Sequence, residues 1–306
     1  VRVRALAKIN LALEVLNRRA DGYHNLRTVF QTISLADTLQ LEFTPGRRSG
    51  IELQSAADIP NNLALRAAEL VFSKTNPRGH LSISLFKKIP MGGGLGGGSS
   101  DAAAILLALP VLTGRLLAFD RLLELAGSLG SDVPFFLHGG TALGLGRGTE
   151  LYPLPEVAPE PGLLITPALH VSTPEAYKAL NRTPEIAAAA ANAAAALAAA
   201  LPTGWHPHAR NDFEAVVFAA HPEIRRLRDR LRRSGASVAL MSGSGASVFG
   251  LFSSSEARDR AAEALAGTHP AAIALVSRRN YRKLWWRQLA PHLEAQTWPP
   301  RSRYAK

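Results

Sequence analysis

The sequence predicts a mixed α and β protein built in two parts, and three observations carry that expectation. As far as Gln54, apolar and polar positions alternate in long runs, the pattern of strands with one face buried. A glycine-rich segment then stands between an alternating strand, Leu81 to Leu85, and an apolar run from Ala102 that reads as a helix. Finally Pro153, Pro155, Pro159 and Pro161 interrupt the periodic pattern, which places a domain boundary near residues 150–162. A chain of 306 residues has room for two ordinary domains.

Taken in order, Val1 to Leu16 reads as an extended strand with Lys8 and Asn10 on one side by the period of two. Arg18 to Gly22 is a turn, Leu26 to Phe43 is extended, and Pro45-Gly46 breaks the chain before Ile51 to Gln54. Pro60-Asn61-Asn62 opens a helix to about Lys74. After the glycine segment a helix runs to Pro110 or Gly114, and Phe119 to Ala126 forms another. Gly139-Gly140 and Gly144 to Gly148 frame a short strand. Beyond the prolines come a strand at Gly162 to Ile165 and a helix at Thr173 to Leu180. Residues 187–200 hold 12 alanines in 14 positions, an excellent helix former with no chemistry. Helices at Asn211 to Ala219 and Pro222 to Arg233 follow, and strands at Ser247 to Phe252 and Ile273 to Val276 flank a helix from Ser255 in a βαβ-like end.

The glycine segment is the densest signal. Gly92 to Gly98 contains six glycines in seven residues, followed by Ser99-Ser100-Asp101. Without Cβ atoms such a backbone curls until several N–H groups face one anion, and a helix start adds unpaired N–H groups and its dipole. Ser99, Ser100 and Asp101 are good N-cap types for a helix at Ala102 to Leu109. The pattern G-x-G-x-x-G fits Gly92, Gly94 and Gly97, but the preceding strand alternates and does not read as a buried parallel strand. No lysine precedes Ser99, which excludes a Walker A loop. The segment is either a flexible glycine linker or a polyphosphate cradle, and its place between a clean strand and a clean helix favours the cradle.

Composition narrows the class. Zero cysteines exclude disulfides and thiolate metal sites and suit a cytoplasmic protein. The longest apolar stretch, Ala102 to Leu112, is too short for a membrane span, and Val1-Arg2-Val3-Arg4 reads as a strand and not as a signal peptide. The net charge of +11 is concentrated in Arg278 to Lys306, with eight Lys or Arg against one acid. With no nucleic-acid motif beside it, this basic end reads as a solvated extension, and Arg225 to Arg233 as a solvated helix face.

Four segments need one explanation: Ala7-Lys8-Ile9-Asn10, the loop Pro90 to Ser100, Gly130-Ser131-Asp132-Val133-Pro134, and Met241-Ser242-Gly243-Ser244-Gly245-Ala246. Together they resemble the galactokinase, homoserine kinase, mevalonate kinase and phosphomevalonate kinase (GHMP) superfamily. Asp21-Gly22-Tyr23-His24-Asn25-Leu26-Arg27 is more particular and resembles its branch that phosphorylates a cytidine diphosphate methylerythritol in non-mevalonate isoprenoid synthesis. The resemblance covers the chain to about residue 280. It implies an α+β fold: a ribosomal protein S5 domain 2-like N-terminal half, residues 1–155, and a ferredoxin-like C-terminal half, residues 156–280. Residues 281–306 are then a basic extension that the family pattern does not require. ATP, with Mg²⁺, would lie along Pro90, Met91, Gly92, Gly93, Gly94, Leu95, Gly96, Gly97, Gly98, Ser99 and Ser100. Asp132 matches the catalytic base and Lys8 its partner; Asn10, Tyr23, His24, Thr173 and Tyr177 match substrate contacts. The metal's ligands are left unassigned, and neither a nucleic acid, a membrane nor a protein partner is implied.

Each residue also has a reading of its own. Asp132 at a tight Gly-Ser-Asp-Val-Pro corner is either a base or a helix N-cap. Lys8 among apolar neighbours needs an anion if it points inward, and Asp132 or a phosphate supplies one. Tyr23 and Tyr177 are either packing residues or two faces of a sandwich around a flat base. His24 offers a donor and an acceptor to a base edge. Met241 to Gly245 is a second turn rich in N–H groups, either closing over the phosphate or simply joining two strands.

Overall fold

A computed structural model of the chain describes residues 1–56, 58–181 and 193–305. Two long antiparallel strands organise the N-terminal half: β1 (Arg2–Arg18) and β2 (His24–Pro45). The far end of β2 pairs with β4 (Gly79–Phe86), its near end with β5 (Thr141–Gly146), and β6 (Glu150–Pro153) follows β5. β3 (Gly50–Ser55) lies parallel to β4, joined to it through helix α1 (Leu63–Thr75), whose N-cap Asn62 accepts the Ala64 N–H at 2.9 Å. The alternation expected of Leu81 to Leu85 is present: β4 buries every second residue.

Behind this sheet lies α2 (Gly97–Thr113), with α3 (Phe119–Leu129) and α4 (Val133–His138) against it. All side chains of α2 from Ser100 to Val111 are buried, as expected of a helix apolar on every side. The helix starts earlier than the capping residues suggest. Gly96 is its N-cap at φ +70°, so Ser99, Ser100 and Asp101 sit inside the first turns and not at the cap. A left-handed N-terminal residue is open to glycine and not to serine or aspartate without strain. The helix also runs through Pro110 to end at Gly114, because burial outweighs one lost hydrogen bond.

The C-terminal half has a four-stranded antiparallel sheet, β7 (Pro161–Ile165), β9 (Val238–Met241), β10 (Val248–Leu251) and β11 (Ala271–Ala274), in the order β11-β7-β10-β9. Helix α5 (Thr173–Leu180) follows β7, and α9 (Ser255–Ala264) connects β10 to β11, the ferredoxin-like arrangement. Between them lie α6 (Ala193–Ala200), β8 (Arg210–Asn211), α7 (Phe213–Ala220) and α8 (Pro222–Arg233). The alanine-rich helix is thus seen from Ala193; residues 187–192 of that expectation lie outside the described residues. β8 adds to the N-terminal sheet, parallel to β1 at Ala12 and Leu13. Ala7, Ile9 and Leu11 of β1 pack with Leu164, Leu240 and Phe249 of the second half. This explains why β1 is buried on both faces from Ala5 to Val15 where its sequence alternates.

The basic end is not the solvated extension its charge suggests. Helix α10 (Arg278–Leu289) buries Tyr281, Trp285 and Leu289 in the N-terminal core while Arg279, Lys283 and Arg287 face water. The Tyr281 hydroxyl donates to Phe136 O at 2.5 Å and the Trp298 indole N–H to Leu137 O at 3.0 Å, so this segment buttresses α4. Two large aromatic side chains bury more apolar area than the cations need to give up, since the cations stay outside. Among the described residues no helix is long and apolar enough to cross a membrane.

Candidate active site

The site begins with an irregularity in β1. Its pairing with β2 shifts register between Leu6 and Lys8 and again between Asn10 and Ala12. Such bulges re-aim side chains. Between them the Lys8 N–H leaves the sheet and donates to Leu95 O of the glycine loop at 3.0 Å. The Lys8 ammonium, 3% exposed, donates to Asn10 Oδ1 at 2.8 Å and lies 3.4 Å from Asp132 Oδ2. Asn10 in turn donates to Thr28 Oγ1 at 2.8 Å, and Thr28 to Ala12 O at 2.7 Å. A buried cation therefore sits in a chain of satisfied hydrogen bonds with one anionic neighbour.

That neighbour distinguishes the two readings of its sequence corner. Asp132 is the residue before α4, yet its carboxylate accepts no N–H from that helix. Instead the side chain, 34% exposed, faces a cleft of about 940 Å³. A carboxylate that caps nothing, beside a buried lysine and open to a ligand, is placed for proton chemistry.

The glycine loop forms one wall. A Cβ on Gly96 would stand 2.9 Å from Phe136 Cζ and 3.2 Å from Lys8 Cγ, so the loop lies directly on the lysine stem. Ser100 N–H makes the first intrahelical bond of α2, to Gly96 O at 2.8 Å, which leaves the N–H groups of Gly97, Gly98 and Ser99 at the helix start for an anion. Not every loop residue faces that way. The Ser100 hydroxyl donates to Leu6 O at 2.7 Å, Leu95 is buried in the core between the halves, and Met91 points to solvent.

The second turn reaches the first. Ser242 Oγ donates to Gly94 O at 3.0 Å, Ser247 N–H to Gly93 O at 3.3 Å, and Gly243 N–H to Asn10 Oδ1 at 3.1 Å. A Cβ on Gly94 would collide with the Ser242 carbonyl oxygen. Asn211 secures the turn from behind, donating to Met241 O and Gly243 O, each at 2.8 Å. The turn thus closes over the glycine loop and also joins two strands.

At the other end of the cleft, Asp21 Oδ1 accepts the Tyr23 N–H at 3.1 Å and presents Tyr23 at 52% exposure. The rings pair differently from a Tyr23–Tyr177 sandwich. His24 stacks on Tyr177 with centroids 4.9 Å apart and planes 18° from parallel, while the Arg147 guanidinium lies 3.6 Å over the Tyr23 ring. One face of Tyr23 is therefore covered before any ligand arrives. Burial, helped by the Arg18 charge, holds His24 below the usual histidine range, so the neutral ring offers one donor and one acceptor. Burial and the Asp132 charge push the Tyr177 hydroxyl above its ordinary range, and Phe213 supports that ring edge-on. Thr173 bonds Ser244 Oγ at 2.7 Å and ties α5 to the second turn.

Residues 62–140 match the family described as GHMP kinases N terminal domain, and residues 184–271 match GHMP kinases C terminal. A 4-diphosphocytidyl-2-C-methyl-D-erythritol kinase from Solibacter usitatus is 50% identical over 99% of this chain and 97% of its own length. One from Geobacter metallireducens is 39% identical over 86% of this chain and 93% of its own. The chain belongs to the 4-diphosphocytidyl-2-C-methyl-D-erythritol kinase family of GHMP kinases. A crystal structure of 4-(cytidine 5'-diphospho)-2C-methyl-D-erythritol kinase superposes with a TM-score of 0.77 at 40% identity, covering 90% of this chain and 99% of that one. Homoserine kinase from Cytophaga hutchinsonii, at 19% identity and a TM-score of 0.67, shares the fold. As a GHMP kinase the protein is a small-molecule kinase that uses ATP.

For this kinase, Lys8, Asn10, Tyr23, His24, Asp132, Thr173 and Tyr177 all line the one cleft, together with Gly94 and Gly96. Three cations of the same cleft, Arg18, Arg147 and Lys178, escaped the sequence reading. Arg147 stands inside the glycine-framed turn after β5, and only the pairing of Leu26 with Gly146 brings it beside Tyr23.

Proposed function

We propose that this kinase transfers the γ-phosphoryl group of ATP to the 2-hydroxyl of 4-diphosphocytidyl-2-C-methyl-D-erythritol, giving the 2-phosphate and ADP in non-mevalonate isoprenoid synthesis. The observation that carries the chemistry is the uncapped Asp132 carboxylate, 3.4 Å from buried Lys8 and open to the cleft. Asp132 takes the proton of the 2-hydroxyl as its oxygen bonds to the γ-phosphorus and the bond to the β-phosphate oxygen breaks. Lys8 holds the carboxylate in place and offsets charge on the transferring oxygens. The loop Pro90 to Ser100 cradles the triphosphate, chiefly through backbone N–H groups at the start of α2. Tyr23, His24 and Tyr177 take the cytosine, and Asn10 and Thr173 flank the acceptor. Arg18, Arg147 and Lys178 give the diphosphate of the acceptor a cationic surround.

Mg²⁺ belongs to this reading as the ion carried by ATP. Among the described residues no group of three or more His, Cys, Asp or Glu side chains could hold a metal, which suits an ion bound mainly by phosphate oxygens and water. When bound it would supply positive charge to offset that of the phosphates. Residues 1–155 serve as the ATP-binding half and 156–280 as the second wall of the cleft, with 281–306 as a brace behind α4. A cytoplasmic location fits a chain without cysteine.

The test is ADP release with Mg-ATP and a panel of cytidylylated methylerythritol, the same acceptor without its cytidine, mevalonate, homoserine and galactose. Turnover of the first alone is expected. Equal use of the acceptor lacking its cytidine would overturn the substrate reading.

A further inference from the structure

One buried charged cluster plays no part in the chemistry above, yet it borders the glycine loop on both sides. Asp37 of β2 is fully buried, and its Oδ1 accepts the backbone N–H groups of Lys88 at 2.5 Å and Ile89 at 2.8 Å, where the chain enters the loop. Its Oδ2 takes the Lys87 ammonium. The same ammonium donates to Asp101 Oδ2 at 2.7 Å, on α2 where the chain leaves the loop. Lys87 Nζ also lies 3.3 Å from where a Cβ on Gly97 would stand, against the first residue of α2. Lys87 is thus the loop's lysine, supplied from before the glycines and not from before Ser99.

The charges do not balance. Two carboxylates share one ammonium, with side-chain exposures of 0%, 3% and 14% for Asp37, Asp101 and Lys87. Asp37 accepts from three donors, two on Oδ1 and one on Oδ2, whereas Asp101 Oδ1 is buried with no donor reaching it. A buried anionic oxygen with no donor is costly, and a proton removes the cost. Among the described residues the charged groups acting on Asp101 are Lys87, from the segment after β4, and Asp37, from β2. Polyphosphate in the loop would add negative charge above a cluster that already carries a net negative one.

We propose that Asp101 is a positioning residue for nucleotide binding: with Asp37 it clamps Lys87 beneath the loop, and it takes up a proton when the triphosphate binds. The inference rests on the reading of Pro90 to Ser100 as the triphosphate cradle. Burial first, and the Asp37 charge against the counteracting Lys87 charge, hold the Asp101 carboxyl up at about 7, so both protonation states are populated at neutral pH. Phosphate charge nearby favours the protonated one. Affinity for Mg-ATP therefore falls as pH rises, by about tenfold for each pH unit by which bound nucleotide raises the proton affinity of Asp101.

The test is calorimetric titration of Mg-ATP, without acceptor, into wild-type protein and Asp101→Asn between pH 6 and 8.5, in buffers of different ionisation enthalpy. Asparagine mimics the protonated carboxyl. The variant should match wild type at pH 6, bind several-fold more tightly at pH 8.5, and lose the proton uptake, with the effect on KM for ATP and not on kcat. A merely structural Asp101 predicts the opposite, a variant weaker at every pH, and that result or an unchanged pH dependence overturns the proposal. Should Asp101→Asn fail to fold, nucleotide-induced infrared difference spectra of the wild type at pH 8 must gain the C=O stretch of a buried protonated carboxyl; its absence overturns the proposal equally. Gly96→Val in the same titration separates the two readings. Wild-type affinity in that variant removes the cradle and this proposal with it, while impaired affinity beside an indifferent Asp101→Asn removes this proposal alone.

Discussion

Asp132→Asn is the substitution on which the catalytic assignment turns. Asparagine keeps the shape of the side chain and caps helices about as well as aspartate, so a capping role would leave the enzyme almost untouched. The structure has already withdrawn that role, since the carboxylate receives no N–H from α4. Lys8 retains its 2.8 Å bond to Asn10, and the lost ion pair is open to solvent on the Asp132 side, at 34% exposure. The stability cost should therefore lie between the about 0–1 kcal/mol of an exposed pair and the about 3–5 kcal/mol of a buried cation left without its anion, since the Lys8 side chain is 4% exposed. Catalysis should suffer whatever that cost, because the amide has neither the charge nor the basic lone pair. A positioned general base contributes on the order of 10²–10⁴-fold, and kcat should fall by that factor with both KM values little changed. ADP release measures the rate, and a thermal melt checks the fold. Lys8→Met should lower kcat as well, and the double variant should lose less than the product of the singles because the pair acts as a unit. Near-wild-type turnover by Asp132→Asn would end the assignment.

Tyr23→Ala should weaken use of the acceptor by about 1–3 kcal/mol, the worth of one stacked base, and leave ATP binding unchanged in calorimetry. Arg147→Ala, which uncovers the second face of Tyr23, should raise KM for the acceptor with no effect on KM for ATP; an unchanged KM would show that the guanidinium only packs. Trp285→Ala should destabilise by about 3–5 kcal/mol in chemical denaturation, since this residue of the basic end is 1% exposed, and an unchanged midpoint would restore the solvated extension. Asp101 sets a pH dependence of stability: its folded carboxyl, held at about 7, keeps a proton that the unfolded chain releases near 3.8. Its contribution is thus full below about 4 and is lost as pH rises through 7. Urea midpoints of Asp101→Asn should accordingly decline less between pH 5 and 8 than those of wild type.

Local chemistry made much of this protein legible in the sequence. The alternation of Leu81 to Leu85, the Asn62 cap and the glycine run each depend on neighbours a few residues away, and each appears where those neighbours place it. So do the motifs at Lys8, Tyr23, His24 and Asp132, whose residue types and spacing carry the family resemblance. What tertiary structure decided is whatever depends on the other side of a contact. Only the second sheet explains why β1 is buried on both faces, and only the fit of Gly96 against Phe136 and Lys8 sets the start of α2 at Gly97. Charge composition made the end of the chain look solvated, because a sum over residues cannot register that Tyr281, Trp285 and Leu289 share one face of a helix with a core to meet. The buried union of Asp37, Lys87 and Asp101 joins positions 50 and 14 residues apart, and no local pattern couples them. Sequence names the groups that can do chemistry; packing determines which of them lose water, and with it their charge.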